Sequence, residues 1–62
     1  MEKLKHLLSH WIEHSEEHTK KYNEWAEKIK DSNPEVSKLM YKAIENFRRG
    51  EEYLKEALKR LD

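Results

Sequence analysis

Asp31-Ser32-Asn33-Pro34-Glu35 interrupts an otherwise continuous helical pattern, and this one interruption decides the architecture of the 62-residue chain. Pro34 is the only proline. At a first helical position its φ is already suitable and its missing N–H leaves no bond unmade, while asparagine is a favoured residue just before such a start. Glu35 falls in the first turn, where a carboxylate complements the helix dipole. The expected organisation is one domain over residues 1–62, with helix one over about 2–31, a turn at 31–33 and helix two over about 34–61.

Outward from the break, apolar residues recur in alternating steps of four and three. In the first helix they run Leu4, Leu8, Trp11, then Ser15 and His18, then Tyr22, Trp25 and Ile29. In the second they run Val36, Met40, Ala43, Phe47, Gly50, Leu54, Ala57 and Leu61. Leu7, Ile12, Ala26, Leu39, Ile44, Tyr53 and Leu58 flank these positions and widen each stripe beyond a two-helix seam. Each helix is expected to be about 42 Å long, and a loop this short folds the two back antiparallel. Residues facing each other then have numbers adding to about 65, pairing Trp25 with Met40, Trp11 with Leu54, His18 with Phe47 and Ser15 with Gly50. One partner helix does not cover stripes of this width. The fold class expected is therefore all-α: an antiparallel two-helix hairpin dimerising into a four-helix bundle, with a monomeric hairpin as the alternative.

Composition narrows the function classes. The 13 basic and 13 acidic residues balance and are interleaved, so no net field draws nucleic acid or a charged membrane. There is no cysteine, which excludes disulfides and thiolate metal sites. No apolar run approaches a membrane span, and the opening stretch from Met1 to Leu8 is too charged for a signal-peptide core; a cytoplasmic protein is the default expectation. A chain this short buries a poor fraction of its surface and usually requires a partner or another staple. Gly50, the only glycine, sits mid-helix at a cost of about 1 kcal/mol relative to alanine. It marks close packing against the opposite helix, a kink or break, or clearance for a ligand.

The chemistry in the chain lies in its four histidines, at 6, 10, 14 and 18. Four-residue spacing stacks side chains on successive helical turns, and two imidazoles at i and i+4 can chelate one metal ion. Each step rotates by about 40°, so the ladder winds from His6, facing water, to His18, expected on the seam. His14 and His18 form the first-choice ligand pair, and His10 with His14 the next. The pairing rule puts Glu51 opposite His14 as a third ligand or a carboxylate orienting an imidazole. Such donors suit nickel, zinc, cobalt or copper. The competing reading makes the histidines solvated or structural. His10-Trp11-Ile12-Glu13-His14 also matches the H-x-x-E-H zinc-peptidase pattern, but that chemistry requires a third ligand, a cleft and a larger body, so no enzyme is expected.

The segment from Leu4 to His18 resembles the leading helix of a small family of bacterial and archaeal helical hairpins with the recurring core H-W-x-E-H-N-x-x-H. His10, Trp11, Glu13, His14 and His18 match it, while Ser15 stands where asparagine is usual. Similar segments are appended to small nickel-binding proteins of the CooT type, so the resemblance implies association with nickel or a related metal and no activity. The expected function is a metal-binding hairpin, a nickel or zinc carrier, store or sensor. The alternative is a protein-interaction or dimerisation module in which the histidines are structural.

Overall fold

In a computed structural model, which describes residues 1–61, the chain forms helix α1 over Glu2–Ile29 and helix α2 over Pro34–Arg60, packed together as a hairpin. Asp62 lies outside the described residues. The break falls at residues 30–33, and α1 stops slightly earlier than expected, at Ile29, whose carbonyl accepts from the Asn33 N–H at 2.7 Å. Pro34 opens α2, and the Ser37 N–H closes its first bond on the Asn33 carbonyl at 3.0 Å. Asn33 occupies the cap position, but its side chain makes no capping bond.

One row of the expected seam holds and the other moves by one residue on each helix: Leu8 and Ser15 stay at the interface, while Thr19 takes the place of His18 and Ile44 that of Ala43. Leu8, Ile12, Thr19 and Ala26 of α1 are buried against Ser37, Ile44 and Glu51 of α2. Trp11, His18 and Trp25 are exposed instead, as are Val36, Ala43, Gly50 and Ala57. A shift of one residue is a rotation of about 100° for the row that moves, and with the other row retained the seam turns by roughly half that. The physical reason is visible beside the turn. A four-residue connection holds the helix ends close, and the small side chains of Ala26 and Ser37 permit that approach where Trp25 and Val36 would obstruct it. Ser37 Oγ donates to the Ala26 carbonyl at 2.8 Å, binding the start of α2 to the end of α1.

The register is close to the one expected, and the contacts belong to the rotated faces. Ser15 meets Glu51 rather than Gly50, and the Phe47 ring meets Tyr22, at 5.5 Å between centroids, rather than His18. Helix α2 runs unbroken through Gly50, and a Cβ built there would meet nothing within 4 Å. Neither a break nor packing against α1 within the chain explains this glycine.

The hairpin has two unlike flanks. On one, Lys55 pairs with Glu16 at 2.6 Å, and Tyr41 donates a hydrogen bond to Glu27, which also pairs with Lys30 at 3.4 Å. On the other, Tyr22, Met40, Ala43 and Phe47 line an apolar groove of about 210 Å³. Trp11 (49% exposed), Trp25 (58%), Leu39 (67%) and Phe47 (46%) remain open to water. Leu8, Ile12 and Ile44 are the only large aliphatic side chains fully withdrawn from it among the described residues.

Candidate functional site

At the centre of the seam lies a polar cluster rather than a layer of apolar groups. Ser15 and Thr19, one turn apart on α1, direct their hydroxyls at Glu51 on α2. Glu51 Oε2 accepts from Ser15 Oγ at 2.6 Å and from Thr19 Oγ1 at 2.7 Å. Thr19 Oγ1 also lies 2.8 Å from the Ser15 carbonyl, so its single proton is shared between two acceptors. Thr19 is 1% exposed and Glu51 3%. A buried carboxylate with no partner would be costly; here every buried side-chain nitrogen and oxygen among the described residues is hydrogen-bonded. Lys55 stands one turn beyond Glu51. Its ammonium is held above the ordinary lysine value first by its hydrogen bond to Glu16, then by the charge of Glu16, with smaller contributions from Glu51 and Glu52.

The imidazoles lie elsewhere. Helix α1 is unbroken through all four, so the ladder forms as the spacing requires, but His6, His10, His14 and His18 are all exposed. His18 is not on the seam: Thr19 takes that place, and the His18 ring stacks with Tyr22 at 6.2 Å. The rings of His10 and His14 are the close pair, 4.4 Å between centroids and inclined by 61°. The structure thus brings His10 and His14 together and turns His18 towards the aromatic flank. It assigns Glu51 to the two hydroxyls within the seam. No group of three or more His, Cys, Asp or Glu able to hold a metal ion occurs among the described residues.

Thr19, Ser37 and the Tyr41–Glu27 pair were not singled out in the sequence. Ser15 and Thr19 carried a usable signal, two hydroxyls at i and i+4 with Glu51 at the matching level of the other helix. Ser37 and Tyr41 carried none, because exposed and buried serines or tyrosines look alike until the seam is known.

A two-helix hairpin with one polar and one apolar flank is the class of protein defined here. Residues 4–61 match the model of a domain of unknown function, DUF8180, and the chain belongs to that family. It is also 48% identical over 58 residues to an uncharacterised protein of Archaeoglobus fulgidus, an alignment covering 94% of each chain. No solved structure matches it. Among the described residues no helix is long and apolar enough to cross a membrane.

Proposed function

We propose that the hairpin is a self-associating helical module, two copies of which close their apolar flanks into a four-helix bundle. The observation that carries this reading is the position of the large apolar side chains. Trp11, Trp25, Leu39 and Phe47 are outside the seam, while Thr19, Ser37 and Glu51 are inside it. Burying an exposed Leu or Phe is worth about 1.5–3 kcal/mol, so an uncovered flank of this kind is a strong drive to association. Sedimentation at micromolar concentration is expected to give twice the chain mass, and the thermal midpoint is expected to rise with concentration. Trp25→Ser is expected to weaken both effects. A wild-type chain that remains monomeric into the millimolar range overturns the reading.

A second reading is favoured by a separate observation, the adjacent rings of His10 and His14 on an exposed helical face. In it the hairpin binds a late first-row divalent ion, nickel or zinc, as a carrier, store or sensor. His14 is the shared ligand, with either His10 or His18 completing a two-nitrogen chelate. Calorimetric titration of Ni(II) and Zn(II) tests it. Heat lost in His14→Ala, and in only one of His10→Ala and His18→Ala, identifies the pair. Equal heats in wild type and all three variants, or no heat in wild type, remove it.

A further inference from the structure

We infer that the second copy docks about a two-fold axis parallel to the helices, so that Trp11, His18 and Trp25 of one chain seat antiparallel over Ala57, Gly50 and Ala43 of the other. This inference rests on the self-association proposed above and specifies its symmetry and register. Trp11, His18 and Trp25 stand seven apart on α1, and the three smallest side chains of the apolar flank, Ala43, Gly50 and Ala57, stand seven apart on α2. All six are exposed. Large groups repeating on one helix and gaps repeating on another at the same period are the requirement for knobs entering holes.

The hairpin itself supplies the register. Glu51 accepts from Ser15 and Thr19 alike, which sets it level with about residue 17, and the Tyr41–Glu27 and Tyr22–Phe47 contacts agree within a residue. Positions of α1 and α2 that are level therefore have numbers adding to about 68. So do 11 and 57, 18 and 50, and 25 and 43. Within one chain these pairs are level but do not meet, because Ile12, Thr19, Ala26, Ile44 and Glu51 occupy the seam between them.

Rotation about an axis parallel to the helices leaves every level unchanged and carries α2 of the second copy across to face α1 of the first. All three pairs then come into register at once without sliding, antiparallel as this axis requires, and symmetry makes the match twice. The layers between them match too, since Leu7 with Leu61 and His14 with Leu54 also add to 68. A two-fold perpendicular to the helices sets α1 against its own copy instead, large groups against large. With no shift along the axis the two copies overlap over their whole length. A 47 by 14 Å face is roughly 650 Å² per copy, close to the ~800 Å² per partner of a standard interface. Zero net charge adds no overall repulsion between copies. The same geometry accounts for Gly50: open space over it in one chain becomes the seat of the His18 ring from the other.

Gly50→Leu provides the test. In the isolated hairpin the added side chain begins in open space, and leucine is a better helix former than glycine, so circular dichroism is expected to show helicity retained or raised. Sedimentation is expected to show the dimer dissociation constant raised at least tenfold, with partial recovery in Gly50→Leu/His18→Ala. The chain has no cysteine, so a mixture of His18→Cys and Gly50→Cys chains is expected to form an oxidised covalent dimer. Neither variant is expected to do so alone. The perpendicular axis would put those two positions on the bundle diagonal and let His18→Cys cross-link by itself. A wild-type monomer defeats the association itself. A wild-type dimer that Gly50→Leu leaves unchanged, whose mixed chains fail to cross-link, or whose His18→Cys chains cross-link alone, keeps the association and overturns this docking.

Discussion

The seam and the apolar flank of this hairpin have exchanged the roles usual for an interior and a surface. The seam holds three large aliphatic side chains with a carboxylate, three hydroxyls and an alanine; the flank holds two tryptophans, a phenylalanine and an exposed leucine. Hydrogen bonds to Glu51 and the Ala26–Ser37 contact set register and proximity in the seam. The flank holds most of the apolar area that is still to be buried. One hairpin is thus well specified in geometry and incomplete in its core, which is the condition of a protein that finishes folding by associating.

The largest effect separating the two regions is expected from Ile44→Ala. Ile44 is buried in the seam, and truncation there is expected to cost about 2–5 kcal/mol by denaturant unfolding. The same change at Leu39, on the flank, is expected to cost far less in dilute protein. Equal losses at the two sites would show that the seam is not the better-buried region.

Glu51→Ala comes next. It leaves the Ser15 hydroxyl without its buried acceptor and Thr19 with only the Ser15 carbonyl, and about 1–3 kcal/mol of stability is expected to be lost. Glu51→Gln retains a carbonyl acceptor and is expected to lose less. Adding Ser15→Ala and Thr19→Val to Glu51→Ala is expected to recover part of the loss, since no donor is then stranded. A Glu51→Ala chain as stable as wild type would mean that the cluster sets geometry without stabilising it.

The smallest effect lies on the polar flank. The Tyr41 hydrogen bond, then that of Lys30, lowers the pKa of Glu27, and the same Glu27 bond raises that of Tyr41. A lowered carboxylate contributes stability above its unfolded pKa and loses it as pH falls through its folded value. A raised phenol contributes below its unfolded pKa and loses it as pH rises through its folded value, here above about 10. Tyr41→Phe removes this hydrogen bond. Its stability deficit relative to wild type is expected to be small near neutral pH and to shrink in acid below the carboxylate range and in alkali. A deficit that does not change with pH would show that the pair is not coupled to titration.

The chain reads as a hairpin from local signals. Asn33-Pro34-Glu35 marks a helix start, and the four-and-three spacing marks two long amphipathic helices, each a property of residues within a turn or two of one another. The histidine ladder was equally legible, since four-residue spacing on a helix leaves no freedom in which rings are neighbours. Its orientation was not. Two candidate stripes adjoin on each helix, Trp11 with Ile12 and Trp25 with Ala26 on α1, Ala43 with Ile44 on α2. Spacing alone serves either stripe.

The amino-acid order by itself determined the turn, the helices and the ladder, because capping, proline geometry and periodicity act over a few residues. Only the tertiary structure decided the turn of roughly 50° that places Thr19 rather than His18 in the seam and leaves the tryptophans outside. That choice depends on contacts between residues more than ten apart, Ser37 against Ala26 beside the turn and Glu51 against Ser15 and Thr19 at mid-length. Close helix approach next to a short loop admits small side chains and excludes large ones, and no local pattern carries that information.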